Sequence, residues 1–226
     1  MADTKISSLT ALTGADTDTA ADVLAIVDTS VTTTKKMLVD ELAVALAATQ
    51  AEVNAMTSTN TLITPALNKI ILGTEVASTS GTAIDYTGFP TGVRRITIMF
   101  SGASTSGNDS WLVQIGDSGG FENTGYSACG SVLDTGVITA SSTAGFIIRT
   151  ANSARVSSGV MTISLENSTA FTWVSSHALM DTAAATAVLV GAGSKSLSAE
   201  LTQIRITTTG GTNTFDAGVV NISYER

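Results

Sequence analysis

The sequence predicts a mainly β protein: a C-terminal antiparallel β-sandwich, jelly-roll-like, behind a small N-terminal β-hairpin and short-helix anchor. Three observations carry that expectation. Short apolar pieces separated by Thr, Asp and Ala fill the first 80 residues, whereas residues 81–226 run in period-two segments cut by Gly, Ser, Thr and Asn. No amphipathic helical stretch intervenes between those segments, which points to antiparallel sheets packed on each other. Both prolines, Pro65 and Pro90, fall outside strand interiors, where a missing N–H does no harm.

Taken in order, residues 23–27 (Val-Leu-Ala-Ile-Val) form a compact apolar strand. Asp28, Thr29 and Ser30 supply a turn, and residues 33–37 return as a polar strand whose Lys35 and Lys36 discourage stray pairing. A helical stretch begins at Asp40. Val39, Leu42, Leu46, Thr49, Val53 and Met56 follow one another at the alternating three- and four-residue spacing of a coiled-coil seam. Thr49 with Glu52 also reads as a capping box at which a helix restarts. Thr64-Pro65 has the N-cap and N1 signature of a short helix over 66–72 that Gly73 closes. A lone hairpin and short Ala-rich helices are marginal in water. This region is therefore expected to gain stability from copies of itself or from a docking partner.

Beyond Ile84 the apolar residues alternate: Ile96, Ile98 and Phe100; Trp111, Val113 and Ile115; Met161, Ile163 and Leu165; Phe171 and Trp173; Ile204 and Ile206; Val220, Ile222 and Tyr224. Residues 146–148 and 187–190 are uniformly apolar, as strands buried on both faces would be. About eight strands follow from this count. The expected divisions are 1–48 as anchor, 49–80 as helical linker and trimerisation segment, and 81–226 as sandwich.

Charged residues make up only 13% of the chain against 43% apolar, which suits a surface buried against other chains. Net charge is −8, with no cluster of Lys and Arg, so a nucleic-acid backbone is not an expected partner. No run reaches the ~18 apolar residues of a membrane span, and no apolar leader follows Met1, so neither membrane insertion nor secretion is expected. The single Cys129 excludes an intrachain disulfide and a Cys-rich zinc site, and is read as a buried thiol.

Residues 116–120, Gly-Asp-Ser-Gly-Gly, copy the nucleophile segment of chymotrypsin-like proteases. That chemistry needs a His base oriented by a carboxylate. The one histidine, His177, follows Ser118 and has no such partner in sight. A hairpin turn is the preferred reading. His177 is then a structural imidazole on the face of Phe171 and Trp173. Asp109, Asp117 and Glu122 lack the spacing of a calcium loop. Trp111 and Trp173 read as core anchors, and Phe121 and Tyr126, in a Gly-rich stretch, as exposed receptor contacts. No catalytic residue, metal or cofactor is expected.

Residues 5–14 (Lys-Ile-Ser-Ser-Leu-Thr-Ala-Leu-Thr-Gly), 22–28 (Asp-Val-Leu-Ala-Ile-Val-Asp) and 34–42 (Thr-Lys-Lys-Met-Leu-Val-Asp-Glu-Leu) together resemble the amino-terminal module of tailed-bacteriophage tail and head fibres. Residues 49–57, Thr-Gln-Ala-Glu-Val-Asn-Ala-Met-Thr, leading to Leu62-Ile63-Thr64-Pro65-Ala66-Leu67, are similar to a linker common in such fibres, with Met56 where the pattern has Gly. Residues 215–225 are similar to the last strand of small β-domains at fibre tips. The resemblance implies a non-enzymatic virion protein, assembled in the bacterial cytoplasm, forming a homotrimer. Its anchor to portal, tail or capsid proteins would use Ile6, Leu9, Leu24, Ile26, Val27, Lys35, Lys36 and Leu42. Its seam would use Val39, Leu42, Leu46, Val53 and Met56, with the knob facing outward; the aromatic and Gly-rich loops of that knob are the reason a host cell-surface glycan is an expected partner. The chain lacks the repetitive shaft of long fibres, so a capsid decoration or tail-assembly role is the alternative.

Overall fold

Alternating side chains build most of what the computed structural model contains. It describes residues 23–28, 33–38 and 70–226, apart from 151, 152, 154 and 183–186. The chain divides into two compact units, Met1–Asn68 and Lys69–Arg226. In the first, β1 (Val23–Asp28) pairs antiparallel with β2 (Thr33–Leu38), Ile26 opposite Lys35 and Ala25 opposite Lys36. Ile6, Leu9, Val39, Leu42, Leu46, Val53 and Met56 lie outside the described residues, as does the helical stretch from Asp40.

The second unit is a pair of antiparallel sheets around one core, and among its described residues there is no α-helix. In chain order its strands are β3 (Ile71–Leu72), β4 (Val76–Ala77), β5 (Ala83–Thr87), β6 (Arg95–Thr105), β7 (Trp111–Asp117) and β8 (Gly120–Phe121). There follow β9 (Ser127–Leu133), β10 (Val137–Ser142), β11 (Phe146–Ile148), β12 (Val156–Asn167) and β13 (Thr172–Thr182). Last come β14 (Ala187–Ser196), β15 (Gln203–Thr208) and β16 (Phe215–Glu225). The larger sheet runs β10-β9-β14-β13-β12-β6-β16-β3, with β4 also on β16; the smaller runs β11-β7-β15-β5, with β8 on β7.

The inward rows are those the alternation predicts. Ile96, Ile98, Met161, Ile163, Trp173, Val220 and Ile222 of the large sheet meet Ile84, Val113, Ile115, Ile204 and Ile206 of the small one. Facing sheets stack about 10 Å apart, so one layer of interleaved side chains fills the gap. Two aromatic contacts tie the sheets at one end: Trp111 lies 5.5 Å from Phe100 and 6.0 Å from Phe215, ring centre to ring centre. The Trp111 indole N–H donates to Thr105 Oγ1 at 3.2 Å. Elsewhere the Tyr86 hydroxyl donates to the Val220 carbonyl at 2.6 Å, and burial pushes that phenol up to about 12.

A line of irregularity crosses the large sheet at one level. The register slips between Ser157 and Gly159 of β12 where β6 passes from Phe100 to Ala103, and again between Ala217 and Val219 of β16. Gly102 and Gly218, both at positive φ (65° and 82°), face each other there. Bulges of this kind raise the local twist and bend a strand. Ser78 fills the break, its N–H bonded to the Gly218 carbonyl and its hydroxyl to that of Ala217.

Several expectations need correction. The short helix over 66–72 is not what its last residues form: Ile71 and Leu72 pair with Tyr224 and Ser223. Gly73 donates its N–H to the Ile222 carbonyl at 2.7 Å, extending the ladder rather than capping a helix. The sheet thus begins inside the stretch read as a 49–80 linker. Eight strands become more, because β9 and β10 show no clear apolar alternation. Residues 187–190 are not buried on both faces: Ala187 and Leu189 point inward while Val188 is exposed. Phe171 precedes β13 in a turn at φ 49° rather than within the strand, and it packs half-buried against the core that holds Trp173.

Candidate functional site

The turn at residues 116–120 is built by its aspartate. Asp117 Oδ1 accepts the Gly119 N–H at 2.8 Å, Oδ2 accepts the Ser198 hydroxyl at 2.5 Å, and its carbonyl accepts Gln203 Nε2 at 2.7 Å. The Ser198 bond, then the Gly119 bond, hold its carboxyl below the usual carboxylate range. Ser118 sits exposed in this turn of the small sheet, whereas His177 is buried on β13 of the large one. His177 Nε2 has no hydrogen-bond partner among the described residues, so the serine and the imidazole do not meet. The arrangement needed to activate a serine is not assembled there.

Beside the turn lies a polar and aromatic patch on the outer face of the small sheet. Arg205 on β15 grips Asp85 on β5 with two bonds, Nε to Oδ1 at 2.8 Å and Nη2 to Oδ2 at 2.7 Å. The same guanidinium lies 4.2 Å from the centre of the half-buried Phe121 ring, within cation–π reach. The Asp85 bonds raise the arginine's pKa further, keeping the charge fixed over the ring. Both partners are partly solvated, so the pair positions rather than stabilises. An open groove of about 300 Å³ continues from Asp85 between the sheet edges, lined by Thr74, Tyr86, Thr87, Phe89 and Tyr224. Phe89 and Tyr224 meet edge to face with centres 5.4 Å apart.

Tyr126 is not an exposed contact. Its ring is buried edge-on against Phe146 at 5.0 Å, and its hydroxyl accepts the Ile115 N–H at 2.7 Å and donates toward the Glu122 carbonyl at 3.0 Å. Burial raises its pKa, and Lys195, paired with Glu122, lies over the ring. Tyr126 is thus the post behind the loop that carries Phe121. Trp111 and Trp173 are core residues, as read. Cys129 is the reverse of its reading: the thiol is exposed, because β9 turns it to the outer face of the large sheet.

The acids once considered for calcium are dispersed. Asp109 accepts the Gly210 N–H, Asp117 clamps its turn and Glu122 pairs with Lys195. Among the described residues no three His, Cys, Asp or Glu side chains are grouped to hold a metal ion. The inward row of β13 is unusual in another way. Trp173 Nε1, Ser175 Oγ, His177 Nε2 and Asp181 Oδ1 are buried without partners among the described residues. At its end Asp181 faces Arg155 at 3.5 Å, and Arg155 reaches Asp134 at 3.2 Å. Desolvation raises the Asp181 pKa despite that cation.

Arg205 and Asp85 were missed at the level of sequence. Each is the polar member between two inward apolar residues, Ile204 with Ile206 and Ile84 with Tyr86. Alternation puts both on the outer face, but only the β15–β5 register makes them neighbours. Comparison with protein-family models, with curated proteins and with solved structures found no match to this chain.

Proposed function

We propose that this protein is a non-enzymatic structural component of a tailed-bacteriophage virion. In this proposal it is a short homotrimeric tail or head fibre, fixed to portal, tail or capsid proteins through its first residues and displaying the sandwich as a knob. One observation carries the proposal. The segments that resemble fibre anchors and linkers, residues 5–67, coincide with the first compact unit, Met1–Asn68, and the sandwich forms the other unit. The jelly-roll-like description of the knob has support in its nested pairing: β6 beside β16, β7 beside β15 and β9 beside β14. In the large sheet β12 and β13 separate the outermost of those pairs, β6 with β16, from the innermost, β9 with β14, a departure from two plain Greek keys.

Density for the intact particle tests this. Copies in threes are expected, with residues 1–48 seated on a virion protein and the sandwich outward. Particles without the chain, or with the sandwich embedded and residues 1–48 free, would overturn it. The second proposal is a capsid decoration or tail-assembly protein whose β-domain packs on other virion proteins without binding a receptor, and the same density separates the two.

For the knob, the proposed contact with a host cell-surface glycan is the Phe121–Arg205–Asp85 patch with its groove. An aromatic ring beside a fixed guanidinium–carboxylate pair offers a stacking surface and donors and acceptors for hydroxyls. Three copies on one stalk would multiply a weak site by effective concentration. On arrays of host envelope polysaccharides the wild-type protein should be retained and Phe121→Ala should lose that retention. Equal retention of both, or none by the wild type, rejects the patch.

A further inference from the structure

The outward face of the large sheet is written for cover it does not have. Across β10, β9, β14, β13 and β12 as far as Leu165, every outward position is Ser, Thr, Val, Ala, Met, Leu or Cys; among the described residues of these strands charge enters only at one end of the face, with the exposed Glu166 beside Asn167. The register sets Val137, Leu133, Val188 and Met180 side by side in one row. Val137 is 68% exposed and Met180 50%. The next row sets Val190, Ala178 and Val160 together. A solvated antiparallel face ordinarily alternates apolar-in with polar and charged-out, and contiguous exposed apolar rows mark contact sites. Residues 187–190 show the conflict most directly: their unbroken apolar run is the signature of a strand covered on both sides, and only one side is covered.

We infer that this face is where a second copy of the same chain docks. Two arguments choose a copy over a foreign partner. The first is charge. Chains of net charge −8 repel one another wherever acidic surfaces meet, and a face with charge only at its margin lets two copies approach at little of that cost. A face shaped for an oppositely charged partner would carry charges complementary to it. The second is area. Five strands spaced about 4.8 Å apart, with six to twelve residues each rising about 3.3 Å, present about 600–800 Å². That approaches the ~800 Å² per partner of a stable specific interface. The inference rests only on the self-association within the proposed function; attachment to a particle can fail without touching it.

The test is sedimentation of the full-length chain over a dilution series. The wild type should associate, and Met180→Glu and Val160→Glu should weaken association by about tenfold or more, because each puts a buried like charge into the contact. Both sites are exposed in the single chain, so cooperative melting should persist. Met180→Gln, which adds no charge, should fall between them and the wild type. Cys129, on the same face, gives an independent readout: its alkylation should slow as wild-type concentration rises. A wild type that stays monomeric overturns both the face and self-association. Association that both Glu variants retain, or alkylation indifferent to concentration, overturns the face and leaves self-association standing on the residue 39–56 seam.

Discussion

Gly218→Ala is expected to destabilise the sandwich by about 2–5 kcal/mol, measured as a fall in the urea midpoint at unchanged slope. Two costs add. Gly218 sits at φ 82°, where a Cβ costs about 1–2 kcal/mol. A methyl there also falls onto the Gly102 carbonyl group, backbone that cannot swing aside as a side chain could. Overpacking of that kind adds about 1–3 kcal/mol. Gly211→Ala separates the two costs. Its φ is 68°, but nothing stands within 4 Å of the added atom, so only the conformational part, about 1–2 kcal/mol, should appear. Equal losses at the two sites would mean that β6 and β16 yield at their bulge and that the close approach stores no constraint.

That bulge was invisible in the sequence, and the reason is general to this fold. Strands with a greasy inner row and a hydroxyl-rich outer row announce themselves, which is why β6, β12, β15 and β16 could be placed from Ile96, Ile163, Ile206 and Ile222 with their neighbours. β9 could not. Its inward residues are Ala128, Gly130 and Val132, kept small because β11 crosses close by. A Cβ on Gly130 would stand 2.7 Å from the Ile147 carbonyl oxygen, and one on Gly193 2.9 Å from the Phe146 ring. Tight packing of one strand over another erased the apolar signal that reveals a strand. Tyr126 failed for a different reason: flanked by Gly125 and Ser127 it looks like a loop residue, yet its hydroxyl is held by Ile115 across the small sheet. Local composition reports solvent-facing chemistry well and long-range hydroxyl bonds not at all.

The two faces of β13 show how sequence and environment divide the work. Outward, Val174, Ala178 and Met180 are apolar where water would favour polar groups. Inward, Ser175, His177 and Asp181 are polar where the core would favour apolar ones. A neutral outer face lowers the cost of association between acidic chains. The inner polar row does the opposite for folding, since each unpartnered buried group costs about 1–3 kcal/mol. Stability and assembly are therefore set on opposite sides of one strand, and changes on the inner side should move melting without moving oligomeric state.

His177→Met is the sharpest case. Burial pushes His177 down from its ordinary 6.5 to about 4, and among the described residues no charged partner shares in that shift. The folded protein keeps the imidazole neutral while the unfolded chain protonates it near 6.5. Above pH 6.5 neither state binds the proton, so His177 adds no pH dependence. As pH falls from 6.5 to 4 the unfolded state gains the proton alone, and folding free energy should drop by roughly 3 kcal/mol in total. Asp181 acts with the opposite sign. Its raised pKa lets the folded state take a proton before the unfolded one does, which adds stability as pH falls toward the carboxylate range. Asp117 and Asp134, both lowered, lose their contribution only below 3.8. The His177→Met protein should therefore lose the decline between pH 6.5 and 4 and match or exceed the wild type at pH 7, because an unpartnered Nε2 is replaced by a flexible apolar chain of similar size. Denaturation curves at pH 7, 6, 5 and 4.5 decide it. A His177→Met protein whose stability follows the same pH dependence as the wild type would mean that His177 is solvated or paired in solution.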